Sequence, residues 1–236
     1  MDRNHRAFQL WETGKVNEAI ALLFQEIDET SDNRNSYYNL ATILILSRKF
    51  EDAEVVLVEA KKKFPQDEMM LYAFGNLYYQ KEDYPLAIQY FKKVNQLKHS
   101  LLKEETNRMM GQTYLAMDDP QKALVYLLQA ESTAGQDPTI LMMIGNALLQ
   151  TGFFTEAERY FERTTHLSKD NDEAWFKRGV CRFASENNLK EAEPYFNKAK
   201  AINPVRFEEQ IKQFKQIEKT IRVLEQEDDQ YNGKDE

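Results

Sequence analysis

Histidine and cysteine are the side chains best suited to proton transfer, nucleophilic attack or metal ligation near neutral pH. This chain has three histidines and one cysteine. His5, His99 and His166 lie far apart in sequence, and Cys181 has no second thiol with which to form a disulfide or a thiolate metal cluster. Cys181 reads as a small core side chain, with a reactive thiol as the alternative. No phosphate loop, Gly-x-Ser-x-Gly elbow or paired metal-ligand spacing occurs. Asp and Glu are abundant but fall where outer, solvated helical faces are expected. The expectation is a chain that is no enzyme and carries no cofactor and no metal. One cationic cluster, Lys177, Arg178 and Arg182, has two open readings: it pairs with Glu158, Glu162 or later carboxylates, or it receives an acidic ligand.

Composition bounds the fold class and the kinds of partner. The chain has 236 residues, 42% of them hydrophobic, which is enough to bury a sizeable core. Eight glycines and six prolines are few for a turn-rich β architecture, so the first inference is an all-α fold. A formal net charge of −8 lacks the basic footprint that phosphate neutralisation needs, so nucleic acid is not an expected partner. No apolar run approaches spanning length and no signal-like h-region opens the sequence, so the expected location is cytoplasmic, away from membranes.

The elements that must position any site emerge from self-similarity. Alanines recur at Ala19, Ala53, Ala87, Ala123, Ala157 and Ala192, spaced 34, 34, 36, 34 and 35 residues apart. Ahead of each lies a small residue: Ala7, Ala41, Gly75, Gly111, Gly145 and Gly179. Four residues after each alanine comes a large one: Leu23, Leu57, Phe91, Leu127, Phe161 and Phe196. Two antiparallel helices approach closely only over small side chains, so the Gly or Ala of a first helix is expected to face the Ala of the second, with the large residue filling the gap to the next repeat. Pairs such as Leu40 and Leu44, Phe74 and Tyr78, Met110 and Tyr114, and Ile144 and Leu148 mark a buried stripe at i, i+4 spacing.

These positions resemble the tetratricopeptide pattern, best in LYAFGNLYYQKEDYPLAIQYFKKV from Leu71 and AWFKRGVCRFASENNLKEAEPYFNKAKAINP from Ala174. The resemblance implies a right-handed superhelical α-solenoid of six helix-turn-helix repeats. Their expected bounds are 1–33, 34–67, 68–103 with a two-residue insertion, 104–137, 138–171 and 172–204. A capping helix is expected at 205–226, its face formed by Phe207, Ile211, Phe214, Ile217, Ile221 and Leu224, followed by an acidic disordered tail at 227–236. The first repeat departs from the pattern at Arg3 and Arg6, as suits a terminal repeat.

The resemblance also implies a function: a scaffold or adaptor that holds a peptide or protein segment in the groove lined by the first helices. The residue after the conserved glycine commonly points into that groove, which gives Phe8, Thr42, Asn76, Gln112, Asn146 and Val180. One turn earlier stand Asn4, Tyr38, Tyr72, Arg108, Met142 and Phe176. Amides such as Asn76, Gln112 and Asn146 supply a donor and an acceptor for an extended backbone, while Tyr38, Tyr72, Met142 and Phe176 supply side-chain pockets. The other reading of the same residues is solvated amides and aromatics packed between repeats. The clamp that some members use for chaperone-tail carboxylates is not matched: Tyr72, Asn76, Met109, Met142 and Asn146 occupy its positions. The rival function is structural self-assembly into a homo-oligomer through the capping helix or groove.

Overall fold

The computed structural model describes residues 2–215. Among these the chain is helical throughout: α1 (Arg3–Glu12), α2 (Val16–Glu29), α3 (Arg34–Leu46), α4 (Phe50–Lys63), α5 (Glu68–Gln80), α6 (Tyr84–Gln96), α7 (Lys103–Ala116), α8 (Pro120–Ala134), α9 (Pro138–Gln150), α10 (Phe154–Leu167), α11 (Asp172–Glu186) and α12 (Leu189–Ile202). A last helix, α13, covers 204–215. The expected Ile217, Ile221 and Leu224 of the capping face, and the tail at 227–236, lie outside the described residues. Two compact bodies, Met1–Gly135 and Gln136–Glu236, divide the chain.

Helix starts and stops follow local chemistry. The first helices of most pairs begin behind an Asp or Asn whose side chain accepts from freed backbone amides: Asp2, Asn33, Asp67, Asp137 and Asn171. Helix α7 is the exception, starting behind Leu102 with no side-chain cap. The inserted residues fall here, making a six-residue connection at 97–102 where 64–67 suffices between α4 and α5. Within the first five pairs, the turn passes through one left-handed residue, at Gly14, Arg48, Glu82, Asp118 and Gly152. The next amide then reaches back to a carbonyl near the helix end, as from Lys49 to Leu44 and from Asp83 to Tyr78 (2.8 and 2.9 Å), closing a Schellman turn.

In the N-terminal body, each pair packs its two helices together and each second helix also packs on the next first helix. The first helices α1, α3, α5 and α7 additionally touch one another in succession, whereas no comparable packing joins α2, α4, α6 and α8. Elements that crowd on one side and spread on the other curve toward the crowded side, so the first helices line the inner face of this body.

The pairing of small and large residues is real, and its geometry adds a contact to the expectation. The large residue of a second helix lies on the small residue of its own pair, and Phe161 also reaches the next pair, where it packs with Cys181 of α11. A Cβ added at Gly75 would stand 2.3 Å from the Phe91 ring, at Gly111 2.4 Å from Leu127, and at Gly145 and Gly179 2.6 Å from Phe161 and Phe196. Where the second helix offers Leu23 or Leu57, the first helix has room for Ala7 or Ala41. The six alanines Ala19 to Ala192 are themselves fully buried. Aromatic side chains extend the same contacts, as where Phe74 stacks on Tyr90 with ring centroids 4.8 Å apart.

In the C-terminal body, α13 covers the last pair. Phe207 and Phe214 pack on Phe196, with ring centroids 6.4 and 5.7 Å away, and Phe214 also meets Phe183 at 5.3 Å. At the other terminus Arg3 departs from the apolar pattern because its guanidinium binds Glu26 and Glu29 of α2, at 3.0 and 2.5 Å.

Candidate functional site

The inner face of the N-terminal body carries the expected residues of α3, α5 and α7 side by side. Tyr38 and Thr42 are half-buried on α3, where the Thr42 hydroxyl donates back to the Tyr38 carbonyl (2.8 Å). On α7 the Gln112 amide donates to the Tyr79 hydroxyl (3.0 Å), and Arg108 is held by Glu105. Tyr72 on α5 is 5% exposed, so it is a wall of the face rather than a free surface group. Its hydroxyl donates to Glu105 (2.9 Å) and its ring rests on Phe91. Burial first, and then the Glu105 carboxylate, raises the Tyr72 phenol above its ordinary value, with Asn76 hydrogen bonding acting the other way. Asn4 and Phe8 on α1 serve the packing: Asn4 bonds to Ser36 and Asn39, and Phe8 packs against the core.

Between α3, α5 and α7 lies a cavity of about 260 Å³. Thr42, Ile45 and Leu46 form one wall, Tyr72, Ala73, Asn76 and Tyr79 the floor, and Glu105, Arg108 and Met109 the other wall. The Asn76 side-chain oxygen is shielded from water and has no hydrogen-bond partner. A shielded amide oxygen without a donor is costly to leave unmade, by about 1 to 3 kcal/mol.

Ile45, Leu46, Tyr79 and Glu105 were not anticipated from the sequence. A helical face continues at i+3 and i+4, so Leu46 follows from Thr42 and Tyr79 from Asn76 once the row is extended by a turn. Leu46 is the most informative of them, being 50% exposed at the cavity mouth.

The corresponding residues of the C-terminal body are arranged differently. The Asn146 oxygen accepts from the Lys177 ammonium (2.5 Å), so its acceptor is already used. Met142 packs against the small core formed by Ala157, Phe161 and Cys181. Phe176 is 7% exposed and enclosed by Phe196, Phe207 and Phe214. Expected as a groove pocket, Phe176 is instead covered because α13 occupies that side of α11. Val180 is half-buried beside the same cluster.

The cationic cluster is internally paired. Lys177 meets Glu173 (2.7 Å), Arg178 meets Glu162 (2.9 Å) and the Thr165 hydroxyl, and Arg182 meets Glu158 (2.8 Å). Arg178 is also sandwiched by aromatic rings, 5.1 Å from Trp175 and 4.7 Å from Tyr195. Of the two readings, internal pairing is the one found. Cys181 is fully buried, and burial pushes its thiol up to about 12, which fits a core side chain rather than a nucleophile. Among the described residues no group of three His, Cys, Asp or Glu is placed to hold a metal ion, and no helix is long and apolar enough to cross a membrane.

A tetratricopeptide repeat family model matches residues 38–96 and 142–206, more than half of the chain. The chain belongs to the tetratricopeptide repeat family. Its fold is therefore that of a protein–protein interaction scaffold, in a family whose members are generally non-enzymatic. Among solved structures it is similar to YrrB, a tetratricopeptide protein with an unusual peptide-binding site, at 25% identity and a TM-score of 0.65, covering 77% of this chain and 92% of YrrB. It is also similar in fold to PilF of Pseudomonas aeruginosa, at 14% identity and a TM-score of 0.75, covering 89% of this chain and 96% of that one. PilW, a type IV pilus biogenesis factor, gives 15% identity and the same TM-score, covering 86% and 92%. No curated protein matches the sequence.

Proposed function

We propose that this tetratricopeptide protein is an adaptor that holds an extended segment of another protein on the inner face of its N-terminal body. The observation that carries the reading is the Asn76 oxygen, shielded in the wall of the α3–α5–α7 cavity and lacking a donor. An extended strand presents backbone N–H groups at regular intervals and is the natural source of such a donor. Tyr38, Thr42, Arg108 and Gln112 border the path such a segment would take, with Tyr72 beneath it. YrrB, a similar protein with a peptide-binding site, lends support at the level of ligand class. The C-terminal body contributes less, since Asn146 is occupied by Lys177 and Phe176 is covered.

Affinity capture followed by mass spectrometry tests this reading with wild type and an Asn76→Ala, Asn146→Ala variant. Partners held by wild type should be lost from the variant, while circular dichroism and melting stay nearly unchanged because Ala has the higher helix propensity. Equal capture by both proteins would move the binding surface elsewhere; unfolding of the variant would make the amides structural.

A further inference from the structure

We infer that the start of α7, with the connection leading into it, is a local opening unit: residues 97–108 come away from α6 while the rest of the N-terminal body stays packed, and the Tyr72–Glu105 hydrogen bond is the latch. This opening is independent of the peptide-binding reading above and makes α7 the wall of the α3–α5–α7 cavity that moves.

The register of the repeats shows what this stretch lacks. Five and four residues before the small residue of each first helix stand Met70 and Leu71 in α5, Ile140 and Leu141 in α9, and Ala174 and Trp175 in α11. In α7 the same positions hold Thr106 and Asn107. Thr106 is fully buried, and its hydroxyl has no hydrogen-bond partner among the described residues. Helix α3 also has a hydroxyl at this position, Ser36, but that one accepts from the Asn4 amide (3.1 Å). Across the junction, the Asn95 amide of α6 donates to the Asn107 side-chain oxygen (2.7 Å). The Asn95 oxygen is shielded from water and has no partner among the described residues. Apolar side chains that fasten other first helices are thus replaced by polar groups, two of them shielded and unpaired, which regain hydrogen bonds with water when the interface opens.

Local chemistry points the same way. Helix α7 starts behind Leu102 without a side-chain cap, so the amides of its first turn have less to lose by unwinding. Glu104 and Glu105 suit the positive end of the helix dipole, but that effect is modest and screened by salt. Farther along the helix is secure: Met110 is fully buried, and a Cβ added at Gly111 would stand 2.4 Å from Leu127. Opening therefore stops short of Met110. On the inner face two bonds tie α7 to α5, from the Tyr72 hydroxyl to Glu105 (2.9 Å) and from the Gln112 amide to the Tyr79 hydroxyl (3.0 Å). The first falls within the opening stretch and must break; the second lies beyond it and holds. A further tether, from the Leu101 amide to Glu68 (3.0 Å), is exposed to solvent. Release carries Glu105 and Arg108 away from Tyr72 and Asn76, which widens the cavity on that side.

Native-state hydrogen exchange of the full chain, read amide by amide by NMR, tests this in wild type, Thr106→Val and Tyr72→Phe. In wild type, the amides of residues 106–110 should be protected about tenfold less, or worse, than their counterparts at 70–74 and 140–144. Low urea should barely alter their exchange, since a local opening exposes little surface. Thr106→Val keeps the shape and removes the hydroxyl, so it should slow exchange at 106–110 by about two- to tenfold, and Tyr72→Phe should speed it by a similar factor. Equal protection at 106–110 and at the two counterparts would show that the opening unit does not exist. Faster exchange in Thr106→Val would mean that its hydroxyl is held by a partner, such as an enclosed water, and that the junction is closed by it. Unaltered exchange in Tyr72→Phe overturns the latch. Protection lost through α1 to α6 as well in that variant would make the opening global and sink the inference.

Discussion

At the scale of single residues, stability is concentrated where a side chain is missing. Gly75 leaves space that the Phe91 ring fills, and a methyl group there would meet the ring at 2.3 Å. Gly75→Ala should therefore cost roughly 1 to 3 kcal/mol from overpacking, measured by urea denaturation. The second repeat solves the same problem as Ala41 against Leu57, so adding Phe91→Leu to Gly75→Ala should recover part of the loss. A strictly additive double mutant would show that the two residues do not compete for the same space. Cys181 gives a pH signature of the opposite kind to that of a stabilised acid. Its folded thiol titrates near 12 against a usual value of 9.0, because burial disfavours the thiolate. Above about pH 9 the unfolded chain loses that proton and the native one keeps it, so this group's contribution to stability falls as pH rises toward 12. Chemical denaturation between pH 8 and 11, comparing wild type with Cys181→Ala, should show a shallower decline in the variant.

Helices and their pairings were the most legible level in the sequence, since a small residue, an alanine and a large residue recur in fixed order and mark each pair. The full contact was not legible: spacing reveals that Phe91 and Gly75 belong together, but not that the ring closes its own pair by lying directly on the glycine. Site residues were legible only as a row. The sequence placed Tyr38, Thr42, Tyr72, Asn76, Arg108 and Gln112 on one side, yet rotamer and burial decide that Tyr72 is wall and that the Asn76 oxygen lacks a partner. Phe176 was misread because its environment depends on α13, a helix distant from it in sequence. That dependence is testable. A chain ending at Asn203 loses Phe207 and Phe214 from the faces of Phe176, Phe183 and Phe196, and at about 1.5 to 3 kcal/mol for each buried phenylalanine the loss should be large. Size-exclusion chromatography and thermal melting should show aggregation or a clearly lowered Tm. A soluble fragment of unchanged Tm would make α13 an appendage.

At the scale of the whole molecule, each pair touches mainly its neighbours within its own body, so strain should stay near its source. Hydrogen exchange of Gly75→Ala, followed by mass spectrometry, should show lost protection in α5 and α6 and in the adjoining α4 and α7, with α11 and α12 close to wild type. Uniform loss across the chain would mean that the protein opens as one cooperative block instead. The matched sizes of Ala41 with Leu57 and of Gly75 with Phe91 also govern how such a gene can be cut and rejoined. A crossover inside the α3–α4 or α5–α6 turn would inherit one partner from each parent, giving alanine against phenylalanine, an overfilled contact, in one of the two products. A crossover in the loop at 64–67 keeps both partners together. Recombination that respects those loops can lengthen, shorten or reorder the array while every surviving repeat still closes.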